Sequence, residues 1–260
     1  MEVGGYTVMM TNLALQGLGL PTRRERGYAV ATLREHASLS DRWFMQLEHE
    51  IKQESAMKKP LDKCYVQSAE QLKLYKLDSL NAVVYRVLSP GLQQSLERAL
   101  DCARKNCPDI ETGDYVLDLS RSTARTPSHP YEGMCPCITR TNAWLRLYSS
   151  KNSRFLYPQE LMQIMGFESP AIVAASERAF AHDDGPHAGW MQMARAMANT
   201  TSPIAWRVVL KASIATAPEP FLGPFQKLYA SDFTVHHSTG PLDSTGAPPM
   251  DSATKEASKE

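Results

Sequence analysis

Arg24 and Arg26, one residue apart just past a Gly-x-Pro turn, are the side chains of this 260-residue chain best suited by type and spacing to grip an anion. Planar guanidinium forks match phosphate oxygens or the edge of a base. Residues 17–33 read Gly-Leu-Gly-Leu-Pro-Thr-Arg-Arg-Glu-Arg-Gly-Tyr-Ala-Val-Ala-Thr-Leu, so four charges sit between a breaker and a short apolar run. Gly19 and Pro21 interrupt regular structure, and residues 28–33, apolar and without helical spacing, read as a buried strand. If extended backbone begins at Thr22, a period of two puts Thr22, Arg24 and Arg26 on one face, with Arg23 and Glu25 on the other. Two like charges so placed repel unless an anion or a carboxylate lies between them. Two readings follow: an unfilled anion site, or a solvated turn with Glu25 as its local counter-charge.

Other reactive groups make weaker cases. Five cysteines, odd in number and irregularly spaced, argue against a disulfide framework and make no zinc-ribbon spacing. Residues 182–187, His-Asp-Asp-Gly-Pro-His, match no metal-ligand spacing and read as a turn. Lys and Arg number 28, as do Asp and Glu, so no global field steers the chain to nucleic acid and any such contact needs a local patch. No apolar stretch approaches the length of a membrane span, and no basic-then-apolar N-terminus suggests secretion, so the chain reads as soluble and intracellular.

The elements that would position these groups can be read in order. Residues 6–15 lean to β structure, turn through 17–21, and return as residues 28–33. Ser40 reads as an N-cap for a helix with Trp43, Phe44, Leu47 and Ile51 on its apolar face. Ser68 with Gln71 has capping-box spacing. Ser89-Pro90 opens a helix with a clean stripe of Leu92, Leu96, Ala99, Leu100 and Ala103. Residues 115–119 read as a strand, followed by a Ser/Thr/Arg/Pro loop over 120–130 that suits either groove contacts or plain solvent. Pro158 suits a first helical turn, Tyr157 is a poor cap before it, and Gly166 suits a left-handed end. Pro170, Trp190 and Pro203 mark three further helices. From residue 236 no apolar period remains, as in disordered tails.

Three stretches recur in this order in one family. Residues 17–33, with Gly5-Tyr6-Thr7-Val8 before them, resemble the eighth motif of DNA (cytosine-5) methyltransferases, Gly-x-Pro-Gln-x-Arg-x-Arg-hydrophobic. Residues 156–167, Leu-Tyr-Pro-Gln-Glu-Leu-Met-Gln-Ile-Met-Gly-Phe, resemble the ninth, Leu-Thr-Pro-Arg-Glu-x-x-x-Leu-Gln-Gly-Phe. Residues 192–209, centred on Ala198-Asn199-Thr200, are similar to the tenth, which carries Gly-Asn. Residues 134–140, Met-Cys-Pro-Cys-Ile-Thr-Arg, resemble the Pro-x-(Leu/Ile)-Thr segment before the ninth. Thr22 stands in place of Gln, Gly27 in place of a strand-filling residue, and Ala198 in place of Gly.

The resemblance implies a mixed α/β fold: part of a Rossmann-like methyltransferase core, made of an edge strand pair and C-terminal helices, with a mainly helical insert. The expected divisions are 1–35 for the core strands, 36–140 for a target-recognition-like insert, 141–217 for helices returning to the core, and 218–260 for the tail. It implies that Arg24 and Arg26 hold a flipped cytosine and its phosphate in double-stranded DNA, and that Asn199 and Thr200 line the methionine end of S-adenosyl-L-methionine. It also implies a nuclear location if the source is eukaryotic. Cytosine methylation further calls for a thiolate, a carboxylic acid and a donor-binding turn. The family supplies them from Pro-Cys-Gln, Glu-Asn-Val and Phe-x-Gly-x-Gly, which precede the eighth motif, and none of the three occurs in these 260 residues. Pro136-Cys137 is followed by Ile-Thr and belongs with the segment before the ninth motif. Two functional classes remain: a methyltransferase segment that acts only when completed by an N-terminal catalytic half, or a non-catalytic DNA-binding or scaffold remnant.

Overall fold

Alternating side chains and a left-handed glycine build the first element, a long antiparallel hairpin. β2 (Tyr6–Ala14) pairs with β3 (Glu25–Leu33) from Tyr6↔Leu33 to Ala14↔Glu25, and β1 (Glu2–Val3) adds to the other edge of β2. A 3-10 turn (Leu15–Leu18) ends at Gly19, φ 80°, where an added Cβ would meet the Glu54 carbonyl at 3.2 Å. Met9, Leu13 and Tyr28 point into the core, whereas Tyr6, Met10 and Leu33 face outward. The expectation that residues 28–33 form a buried strand is therefore corrected. The strand is buried on one face only, and among the described residues it pairs with β2 alone.

The computed structural model describes residues 2–3, 5–33, 39–65, 89–120, 130–143, 145–179 and 186–217. The capping box at Ser68, most of the 120–130 loop, residues 182–185 and the 218–260 tail lie outside these, whereas Pro186 and His187, expected in a turn, open a helix.

α1 (Leu39–Ala56) lies along α6 (Pro203–Thr216), and together they back the hairpin. Trp43 is buried and donates through its indole N–H to Ser213 Oγ at 3.0 Å. Tyr28 meets Trp206 edge-to-face at 5.6 Å between ring centroids, so the last helix does return to the strand pair. The apolar face expected of α1 is corrected in part. Phe44 is 43% exposed, and Glu50 and Glu54 are buried instead. The reason lies on α6, where Arg207 takes Glu54 in a bidentate pair (3.0 and 2.7 Å) and Lys211 lies 3.6 Å from Glu50. α1 thus packs with the C-terminal helices, although the sequence placed it in the insert.

A second sheet, order β5-β4-β6-β7, joins β4 (Tyr115–Asp118), β5 (Tyr131–Glu132), β6 (Leu147–Ser149) and β7 (Arg154–Phe155), all antiparallel. Because β4 pairs with β6, the expected division at residue 140 runs through this sheet. α2 (Pro90–Asn106) starts on the Ser89 side chain and buries Leu92, Leu96, Ala99 and Ala103 in the same apolar cluster as β4 and β7.

α3 (Pro158–Ile164) begins without a hydroxyl cap, as Tyr157 predicts, yet the start is not left open. Glu160 reaches back to the Tyr157 N–H at 2.8 Å while binding Arg154 through both oxygens at 2.8 and 2.7 Å. The helix closes at Gly166, φ 87°, against Ile204 and Leu20. α4 (Pro170–Ala179) and α5 (Pro186–Asn199) complete a mixed α/β architecture with, among the described residues, two small antiparallel sheets.

Candidate functional site

Residues 21–24 run beside residues 135–138, and this short side-by-side contact places Arg24. Cys135 N–H donates to Pro21 C=O at 2.8 Å, Arg23 N–H to Cys135 C=O at 3.0 Å, and Thr22 Oγ1 to Pro136 C=O at 3.4 Å. Arg24 is only 1% exposed. Its Nη1 donates to Ile138 C=O at 2.5 Å, and its Nη2 to Ala198 C=O at 2.7 Å and Thr200 C=O at 2.6 Å. Ala198 and Thr200 sit at the C-terminal end of α5, where carbonyls lack helical partners and the helix dipole is negative. Burial, and then the neighbouring Arg26, pull the Arg24 pKa down. Among the described residues its Nε has no hydrogen-bond partner.

The expected pair of arginines is therefore divided. Arg24 is no open anion site, because three carbonyls already take its guanidinium. Arg26 is exposed and donates to its neighbour's carbonyl, Glu25 C=O, at 3.1 Å. The covering segment bonds residues 21–24 and, among the described residues, makes no hydrogen bond to Arg26. Thr200 joins Arg24 through its backbone, and Asn199, between the two bound carbonyls, leaves its side chain exposed.

A cavity of about 530 Å³ adjoins this junction, lined by Ser120, Arg140, Thr141, Arg146 and Arg195. Arg140 follows the Ile138 that holds Arg24 by two residues, and Arg195 precedes Ala198 by three. Asn142, next to Thr141 in the chain, ties neighbouring segments together: its Nδ2 donates to Asp118 Oδ2 and to Cys137 C=O, both at 3.0 Å, and its Oδ1 accepts from Thr139 N–H at 2.6 Å. Asp118 Oδ1 accepts from Ser120 N–H at 2.9 Å, and Leu119 N–H donates to Arg146 C=O at 2.7 Å. Leu145, just before Arg146, has φ 53°, a left-handed conformation unfavourable for leucine.

Comparison with protein-family models and with curated proteins finds no match for this chain.

The cavity lining offers electrostatic and hydrogen-bonding chemistry. Burial pushes the Cys64 thiol up to about 12 and holds the Cys135 thiol well above its ordinary value. Cys137 is half-buried, its Sγ 3.9 Å from Ile138 C=O. Among the described residues no group of His, Cys, Asp or Glu could hold a metal ion, and no helix is long and apolar enough to cross a membrane. In the sequence Arg140 stands within the segment before the ninth motif with no role of its own, and neither Arg146 nor Arg195 stands out. Their separation along the chain carries no periodic signal, and only the fold gathers them.

Proposed function

We propose that this chain is the C-terminal segment of a DNA (cytosine-5) methyltransferase-like protein, competent for methyl transfer only with an N-terminal catalytic half. The supporting observation is the convergence on Arg24. One guanidinium from the eighth-motif-like stretch holds the segment before the ninth and the turn that resembles the tenth. The end of the ninth-motif-like helix closes at Gly166 against Leu20 and Ile204, at the same crossing of segments. In this reading β1–β3 and the C-terminal helices are part of a Rossmann-like core. The outward Tyr6, Met10 and Leu33, with the side of β3 that is unpaired among the described residues, fit a surface completed by further protein.

Asn199, exposed and unpaired among the described residues, and Thr200, half-buried beside it, fit the expected hold on S-adenosyl-L-methionine, which when bound supplies the methyl group. Arg26 is the arginine of the pair left to meet DNA; Arg24 organises the junction. An intracellular, and in a eukaryote nuclear, location belongs to the same proposal. The alternative, a DNA-binding or scaffold remnant without catalysis, is favoured by the structural use of Arg24.

The experiment mixes the purified chain with a separately expressed polypeptide carrying the Phe-x-Gly-x-Gly, Pro-Cys-Gln and Glu-Asn-Val elements. Labelled methyl transfer to duplex DNA is measured for each and for the mixture. Transfer by the mixture alone is the expected result. No association and no transfer would leave the remnant reading.

A further inference from the structure

We propose that Arg140, Arg146 and Arg195 form a cradle for the phosphodiester backbone of duplex DNA. The choice of polymer rests on the reading above, whereas the phosphate chemistry comes from the cavity itself. Three guanidiniums from separate parts of the chain line one cavity of about 530 Å³. None of them has a side-chain hydrogen bond or ion pair with a described residue. Three arginines elsewhere have carboxylate partners: Arg154 has Glu160, Arg207 has Glu54, and Arg104 has Asp101 and Glu111. Asp118, two residues before the lining residue Ser120, accepts from Ser120 N–H and Asn142 Nδ2. Like charges left together in this way favour an anion between them.

The lining selects among anions. Ser120 and Thr141 add hydroxyls, that of Thr141 lying 3.0 Å from Thr139 Oγ1. Among the described residues no aromatic ring lines the cavity to stack a base, and no carboxylate lines it to take a ribose hydroxyl. Arg140, Thr141 and Arg195 are exposed, which suits a backbone laid across the mouth rather than an enclosed nucleotide. Arg146 directly follows a strained position, because Leu145 holds φ 53° while packing on the apolar cluster of β4 and α2. With no net charge on the chain, attraction must be local and its salt dependence set by the few phosphates these side chains neutralise.

The test is fluorescence anisotropy of a labelled DNA duplex at two salt concentrations. It compares the wild type, Arg140→Ala/Arg146→Ala/Arg195→Ala, and the corresponding triple lysine variant. The alanine variant should bind at least about tenfold more weakly, with a salt slope shallower by about 0.9 for each phosphate no longer neutralised, and lysine should retain most of the affinity. Circular dichroism checks folding, and Arg140→Ala/Arg195→Ala, at two exposed positions, serves if the triple variant does not fold. Inorganic phosphate should compete with duplex on the wild type. Equal affinities and slopes across the variants would overturn the proposal. So would capture of inorganic phosphate without duplex binding, or a preference for single-stranded RNA over the duplex. Methyl transfer is not read, so failure here and failure of the methyltransferase reading remain separate results.

Discussion

The Arg24 guanidinium donates to the Thr200 carbonyl at 2.6 Å across 176 residues of sequence, and the same nitrogen reaches the Ala198 carbonyl at 2.7 Å. A buried cation held by neutral carbonyls alone needs every one of them, because desolvation of the charge has no carboxylate to offset it. Arg24→Ala should destabilise the protein by about 3 kcal/mol or more, leaving three carbonyls short of a donor. Arg24→Lys should recover little of this, since an ammonium does not reproduce the planar fork. Chemical denaturation of the two variants checks both statements. A midpoint unchanged in Arg24→Ala would refute the junction.

Arg26 should behave in the opposite way. It is exposed and bonds only its neighbour's carbonyl, so Arg26→Ala should leave the denaturation midpoint where it is. In a duplex titration the same variant should bind more weakly, with a salt slope shallower by about 0.9. Loss of stability without loss of binding would show that the roles of the two arginines had been interchanged.

The buried pair of Arg154 and Glu160 also stacks the guanidinium over the Tyr157 ring at 4.1 Å. Removing one partner strands a charge and uncaps α3, so Glu160→Gln should destabilise by roughly 3–5 kcal/mol. Arg154→Met/Glu160→Leu, which removes both charges, should be markedly less harmful than either single change. A double-mutant cycle with no coupling would contradict this.

Alkaline pH should unfold the protein through its buried acids. Burial raises the thiols of Cys64, to about 12, and Cys135; it also raises the phenols of Tyr28 and of Tyr65, the latter helped by its hydrogen bond to Asp114. Each group is neutral in the fold and ionises more easily once unfolded. The stabilisation is therefore full below the unfolded pKa values and is lost as pH rises through the folded ones. Urea midpoints should hold to about pH 8 and fall between about pH 9 and 12. Cys64→Ala should flatten that fall, and a midpoint independent of pH over the range would refute the account.

The same burial sets thiol reactivity in the native state. A maleimide at pH 8 should label Cys102, Cys107 and Cys137, all half-buried, and spare Cys64 and Cys135 until denaturant is added. Mass spectrometry of labelled peptides reads the pattern. Rapid native labelling of Cys135 would mean that the contact between residues 21–24 and 135–138 opens readily.

What the sequence determined by itself was the local backbone. The hairpin, the proline starts at Pro90, Pro158 and Pro203, and the left-handed Gly166 all stand where residue types put them. Such features depend on dihedral preferences and on partners within a turn or two. The clean stripe of α2 was legible for the same reason, since its spacing alone defines an apolar face. The tertiary structure decided the fate of the charges. Arg24 and Arg26 look equivalent in the sequence, but carbonyls 114 and 174 residues away bury one of them. Glu50 and Glu54 became buried in place of Phe44 because α6 presents Lys211 and Arg207. The arginine-lined cavity had no spacing by which to be found, because Arg195 on α5 lies far along the chain from Arg140 and Arg146 and lines one cavity with them only in the fold. A charge is settled by whatever lies within a few ångströms of it, and over such sequence separations only the fold chooses what that is.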